Sequence, residues 1–290
     1  MNWVILSFAM MLFVAANGLI ARKLLVKGIS GALINFINFF ACFVFYLLFV
    51  FFSGGQLVLS FVQFLVVLSM SVFFDYLGNV FYMQSIARAP NPGYGLVIMK
   101  SSVMITTLLA VLFFNSEISI KSVLAIAVIL FSATVIFLSG SGKPKREIAK
   151  NWILPSLAAL FCFSFFSLAM KYILGQGIDS KVVLAYVSLI LSVMFYLDVR
   201  KNGKIHFYDL SRGVRIILAI GILLSAGVNW LFAEAIKAAP NPGYVGAFDA
   251  ASSALVVLGA ARLFKDHLSF GKLAGVFGTI AGLIILLFWP

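Results

Sequence analysis

The sequence predicts an all-α integral membrane protein whose ten transmembrane helices form two inverted five-helix repeats. Three observations carry this prediction. The 290 residues are 63% hydrophobic and 10% charged, with a mean hydropathy of +1.13. Soluble domains are about 45–50% apolar and about 25% charged, so this chain has more apolar surface than its own interior can take up, and lipid must solvate the rest. Next, Ala89-Pro90-Asn91-Pro92-Gly93-Tyr94 recurs as Ala239-Pro240-Asn241-Pro242-Gly243-Tyr244, 150 positions later. Six identical residues with two prolines and a glycine are not a chance match in a chain holding 7 prolines, and so long a period marks a duplicated unit, not a solenoid. Finally, each unit contains five apolar runs. Five is odd, so the second unit enters the membrane from the opposite face.

The runs fall near 3–21, 31–52, 61–87, 94–114, 120–139, 152–173, 181–198, 215–237, 243–264 and 270–289. Each is near the length needed to cross a hydrocarbon core of about 30 Å at about 1.5 Å per residue. Between them lie turn-forming segments: Gly28-Ile29-Ser30-Gly31, Ser53-Gly54-Gly55, the two Pro-Asn-Pro-Gly turns, and Ser139-Gly140-Ser141-Gly142-Lys143-Pro144. Pro-Asn-Pro cannot sit inside a helix, because proline lacks an N–H and restricts the residue before it. The first run is read as a retained helix and not a signal peptide, since Met1-Asn2 supplies no basic segment. It also has an internal counterpart, with Asn2-Trp3 matching Asn151-Trp152 at an offset of 149. Gly28-Ile29 matches Gly177-Ile178 at 149. After one extra residue, Asp179, the matches Asn79/Asn229, Ser102/Ser252 and Phe114–Ser119/Phe264–Ser269 run at 150. The expected organisation is residues 1–141 as the first repeat, 142–150 as linker and 151–290 as the second repeat.

Two inverted halves have two nearly equivalent conformations, one open to each face. Many secondary transporters are built this way, with substrate near the midplane. The five-plus-five pattern has a turn closing the third helix, and polar residues follow the fourth helix (Glu117) and its repeat (Asp266). It resembles the drug/metabolite transporter superfamily, EamA type, over nearly the whole chain. The resemblance implies a central cavity walled mainly by helices 1, 3, 4, 6, 8 and 9, with helices 5 and 10 as scaffold. Gly271, Gly275, Gly278 and Gly282 in the tenth helix suit that role, because small residues four apart allow close helix approach.

A net charge of +12 would suggest nucleic acid on a soluble protein. Here the basic residues sit in short loops and instead report orientation. Odd-numbered loops hold 16 of the 21 Lys and Arg, among them Arg22, Lys145, Arg146, Arg200 and Lys265, whereas the other side holds 4 (Lys121, Lys171, Lys181 and Lys237). The positive-inside rule then places both termini outside the cytoplasm, in what the short loops suggest is a bacterial inner membrane. This departs from the family's usual pattern of basic residues at the N-terminus and in the loop after the second helix. Expected partners are a small-molecule substrate and membrane lipid, with no nucleic acid, and the two fused halves suffice for a monomeric transport unit.

Ionisable groups inside membrane helices are costly and mark functional sites. Lys100, just inside the fourth helix and followed by Ser101 and Ser102, could recognise a substrate carboxylate or phosphate, form an internal ion pair or snorkel to the interface. Asp249 lies one position from its repeat equivalent. Depth arithmetic puts the two about a quarter of the way in from opposite faces, so Asp75, in the adjacent third helix, is the expected partner of Lys100. Asp249 is then left for a substrate amine or a proton, and Asp75 is a second candidate for proton coupling. Glu234 and Lys237 read as an interfacial pair. Asn79, Asn229, Ser102, Ser252, Asn17 and Trp230 are expected around the substrate, with Asn35, Asn38 and Gln84 as weaker cavity candidates. Tyr94 and Tyr244 read as interface anchors. Cys42 and Cys162 lie in apolar runs without metal or disulfide spacing, and His206 and His267 are separate loop residues. No nucleotide, hydrolase or metalloprotease motif is present, so no cofactor and no enzymatic activity are expected. The favoured function is secondary transport of a small polar or amphipathic metabolite. A flippase for phospholipid or lipid-linked sugar on the same scaffold is the alternative, ahead of a non-transporting scaffold.

Overall fold

A computed structural model describes residues 2–89, 92–139, 151–202 and 211–288. The linker 142–150, Pro90-Asn91 of the first hexapeptide, and His206 lie outside the described residues. Ten helices are long and apolar enough to span a membrane: α1 (Trp3–Val26), α2 (Gly31–Phe52), α3 (Phe61–Ser85), α4 (Tyr94–Phe114), α5 (Ile120–Ser139), α6 (Ile153–Gly175), α7 (Ser180–Lys201), α8 (Arg212–Ala238), α9 (Pro242–Phe264) and α10 (Phe270–Phe288). The main departure from the sequence boundaries is α1, which continues to Val26 and takes in Arg22 and Lys23. Cations in a last turn complement the helix dipole, so the charges extend the helix instead of ending it.

In lipid every backbone polar group needs an internal partner, and the helix starts show how this is met. Asn2 accepts from the Val4 N–H, Ser30 from Leu33 and Ser211 from Val214, while Ser60 and Gln63 form a capping box. Large apolar side chains face outward along the bundle, among them Phe51, Phe61, Phe131 and Phe270. That is the surface lipid requires.

Positions equivalent in the sequence repeat share backbone features. Asn115 (φ 49°) and Lys265 (φ 58°) are the non-glycine residues with positive φ among those described, and they are repeat equivalents at the ends of α4 and α9. Gly28 (φ 82°) and Gly177 (φ 80°) are likewise equivalent, ending α1 and α6 in the left-handed turn that glycine alone adopts without strain. Packing is reciprocal as well. α1 lies against α8 and α9, as α6 lies against α3 and α4, while α2 pairs with α7 and α5 with α10.

The α5/α10 contact is made by glycine. A Cβ on Gly275 would stand 2.6 Å from Ile136 Cγ1 and 2.7 Å from the Ser132 carbonyl oxygen, and one on Gly282 would stand 2.6 Å from Ile129 Cγ1. Backbone cannot rotate away, so the helices must separate. Gly275→Ala is expected to destabilise the bundle by about 1–3 kcal/mol, the usual cost of overpacking, read as a lower melting temperature in detergent. An unchanged melting temperature would overturn the scaffold role of this contact.

Two helices of the first half are irregular where their second-half counterparts are not. A π-helical segment, Met70–Tyr76, interrupts α3, and α4 is broken at Ser101 between Pro92–Lys100 and Ser102–Phe114. By contrast, α8 and α9 are continuous α-helix. Irregular backbone inside a membrane is tolerated only where it is buried or lines a cavity, and Asp75 and Lys100 sit on these two segments.

Candidate functional site

A cavity of about 280 Å³ lies between α2, α3, α4, α6, α7, α8 and α9. Its walls are mostly apolar, with Phe39, Phe163, Phe166, Met170 and Phe232 contributing. Its polar groups are few: Asp75, Lys100, Ser102, Thr106, Ser167, Ser188, Asn229 and Asp249. Apolar walls with a handful of convergent polar groups are the usual make-up of a small-molecule site. The expected ring of helices changes in one respect. α2 and α7 contribute and α1 does not, because α2 and α7 pack on each other across the bundle and place Phe39, Leu184, Val187 and Ser188 on the cavity.

Lys100 Nζ donates to Asp249 Oδ2 in a close ion pair, with the side chains 17% and 34% exposed. This corrects the pairing expected from the sequence. Asp75 is not the partner of Lys100. Instead Asp75 accepts a hydrogen bond from Asn79 Nδ2 at 2.9 Å on both its carboxylate and its backbone carbonyl. Depths counted along ideal helices therefore do not keep these two side chains apart. Neither charge can be left alone in a medium of low dielectric, and pairing is the outcome that solvates both.

The remaining candidates divide. Ser102 and Asn229 line the cavity, and Asn17 lines an adjoining one. Asn79 reaches Asp75 instead of the cavity wall. Ser252 is 4% exposed and donates to the Asp249 carbonyl oxygen at 2.6 Å, within its own helix. Trp230 packs edge-on against Phe49, away from both cavities. Glu234 pairs not with Lys237 but with Ser180, whose hydroxyl donates to it at 2.5 Å. Lys171, unremarkable in sequence, donates to the Ile236 and Ala239 carbonyl oxygens at 2.9 and 2.7 Å and so caps the end of α8.

The second hexapeptide is a buried clamp, not an interface anchor. Asn241 is fully buried and donates to the carbonyl oxygens of Thr107 (3.1 Å) and Glu117 (3.4 Å). Tyr244 is 2% exposed, donates to the Glu117 carbonyl oxygen at 3.1 Å and packs tilted against Trp3, with ring centroids 5.9 Å apart. These bonds tie the start of α9 to the body of α4 at Thr107 and to the turn after α4 at Glu117. The equivalent Tyr94 stands at the same 5.9 Å from Trp152 yet is 37% exposed, beside an apolar groove of about 370 Å³ between α4, α5 and α6. The two repeat-equivalent tyrosines thus differ in burial, Tyr244 enclosed and Tyr94 partly exposed.

Away from the cavity, Arg22 donates to Asp266 at 2.7 and 3.1 Å and lies over the Phe264 ring at 4.4 Å. That hydrogen-bonded guanidinium holds the Asp266 carboxyl below the usual carboxylate range. Among the described residues no cluster of His, Cys, Asp and Glu could hold a metal.

Comparison with known proteins agrees with this architecture. Residues 1–138 match the EamA-like transporter family. An uncharacterized transporter of Archaeoglobus fulgidus is 24% identical over 278 residues, covering 95% of this chain and 94% of the relative. A solved structure, described only as the crystal structure of a protein, shares the fold with a TM-score of 0.79 at 12% identity, over 99% of this chain and 97% of that one. The match to the EamA-like transporter family spans the first 138 residues, and with ten membrane-length helices among the described residues the chain is an integral membrane protein similar to EamA-type transporters.

Proposed function

We propose that the protein is a secondary transporter that carries a small polar or amphipathic metabolite by alternating access. The substrate's charged group docks at Lys100 and Asp249. The observation that carries this reading is the ion pair in the wall of a 280 Å³ cavity inside the bundle. A pair of this kind can exchange one partner for a substrate group of the same charge without stranding the other, which an apolar wall or a lone charge cannot do. Asp75, on the same cavity, is the residue proposed for proton coupling. The unequal burial of the equivalent Tyr244 and Tyr94 fits a chain caught in one of two related states. The proposal includes a single chain as transport unit, a bacterial inner membrane and both termini outside the cytoplasm.

The apolar groove beside Tyr94 is the observation that favours the second reading, a lipid flippase. Purified protein in liposomes decides between them. Counterflow of a charged metabolite across a sealed vesicle, stimulated by an inward proton gradient, is the expected result. Scrambling of a labelled phospholipid with no metabolite counterflow would overturn the transporter reading and favour the flippase.

A further inference from the structure

A second cavity, of about 150 Å³, adjoins the first and shares Phe39, Val228 and Asn229 with it. Its polar lining is uncharged and mostly carboxamide. Asn17 comes from α1, Asn35 and Asn38 from one face of α2, and Ser225 and Asn229 from one face of α8. Spacings of three and four residues put each pair on a common helix face. No carboxylate or basic side chain lines this pocket. Asn17 Nδ2 donates to Ser225 Oγ at 3.1 Å. Asn38 Oδ1 is buried and has no hydrogen-bond partner among the described residues. Four carboxamides facing one space inside a lipid-embedded bundle are costly, and a buried acceptor left unmade costs more than a hydrogen bond returns. Helix packing does not require them, since apolar side chains of the same size would fill the space at lower cost.

We propose that this amide-lined pocket is a second subsite of the transport cavity, holding an uncharged hydrogen-bond-donating group of the substrate, a hydroxyl or an amide N–H. The inference rests on the transport reading and narrows its substrate class. The cargo is bipartite, with a charged group at Lys100 and Asp249 and a neutral donor against Asn38, Asn35 and Asn229. A charged group in the amide pocket would find no counter-ion, which excludes the reverse orientation. The pocket has room for about five waters at about 30 Å³ each, enough for a hydroxymethyl or carboxamide end but not for a sugar ring.

The test uses three pairs of compounds matched in charge and differing by one hydroxyl: propionate and lactate, ethylamine and ethanolamine, alanine and serine. Each is added to the full-length protein in detergent and its affinity is read from the rise in melting temperature. In at least one pair the hydroxylated member is expected to bind about tenfold more tightly, the value of one well-made hydrogen bond. Asn38→Leu and Asn38→Ala should remove that difference while leaving the affinity of the unhydroxylated member within about twofold. Without ligand, Asn38→Leu should melt no lower than the wild type, because it removes a buried acceptor that lacks a partner. Equal binding within every pair would overturn the subsite, as would a hydroxyl preference that survives both substitutions, or no binding by any of the six. Stabilisation by sodium in place of choline, lost in Asn38→Leu, would also overturn it by making the pocket an ion site. Removing the charge that each probe needs separates this failure from failure of the transport reading: Lys100→Met for propionate and Asp249→Asn for ethylamine. If the unhydroxylated member binds and the matching substitution abolishes its binding, the charged site stands whatever the amide pocket does. If its binding survives that substitution, it is the transport-site reading that falls.

Discussion

Lys100→Met is expected to lower transport by at least about a hundredfold and to destabilise the protein at the same time. Removing one member of a buried pair leaves the other charge uncompensated, at a cost of about 3–5 kcal/mol, and Asp249 has no other cation within salt-bridge distance among the described residues. Solvent reaching the cavity reduces that cost, since the Asp249 side chain is 34% exposed. Loss of stability and loss of function must therefore be separated. The double variant Lys100→Met, Asp249→Asn carries no stranded charge and should recover the wild-type melting temperature. If the pair were only a structural tie, transport would recover with it. The expected result is recovery of stability without recovery of counterflow, because the groups that replace one another with substrate are gone. Recovery of both would reduce the pair to scaffold and remove the main support for a charged substrate.

Much of the architecture was legible because it is written in repeats and in apolar length. The hexapeptide and the offsets of 149 and 150 mark the duplication in the sequence, and Asn115 and Lys265, like Gly28 and Gly177, share a left-handed backbone at equivalent positions. The EamA resemblance was legible for the same reason. The site was legible as a set of residues but not as a set of contacts. Lys100, Asp75 and Asp249 stood out because charge in a membrane helix is rare. Their pairing did not follow, because depth counted along ideal helices ignores the break at Ser101, helix tilt and the reach of a four-carbon stem. The π-helical segment at Met70–Tyr76 has no proline or paired glycine to announce it. Nor did sequence distinguish Tyr244 from Tyr94. Identical hexapeptides predict identical surroundings, and the difference between a buried and a half-exposed tyrosine comes from what packs on each, which the hexapeptide does not encode. The amide pocket was partly readable. Asn35 and Asn38 lie one helical turn apart in an apolar run, but that they face Asn17 and Asn229 depends on how α1, α2 and α8 meet.

The conformational reading leads to the second large effect, at Gly243. A Cβ there would stand 1.9 Å from Thr107 Oγ1 and 2.9 Å from Thr107 Cα. Turning the threonine side chain does not relieve a clash with backbone, and the Thr107 hydroxyl is in any case held by the Val103 carbonyl oxygen at 2.8 Å. Gly243→Ala can be accommodated only if the start of α9 moves away from α4 at Thr107. That movement breaks the Asn241 and Tyr244 bonds to Thr107 and Glu117 and opens the clamp they form. Overpacking of about 1–3 kcal/mol shifts a two-state equilibrium about five- to 150-fold. Gly243→Ala should therefore hold the clamp open and suppress counterflow, while leaving binding at Lys100 and Asp249 intact. Ser167→Cys, on the cavity wall, reports it once Cys42→Ala and Cys162→Ser have removed the native thiols. A membrane-impermeant thiol reagent applied from the face bearing Glu117 is expected to label Ser167→Cys at least several-fold faster in the Gly243→Ala background. Gly275→Ala is the control, since it also inserts one methyl group into a glycine contact, but between the paired helices α5 and α10, and should lower melting without changing the sidedness of labelling. Labelling unchanged by Gly243→Ala, with melting lowered as in Gly275→Ala, would make the Tyr244 clamp a fixed packing contact and locate the moving parts of the cycle elsewhere.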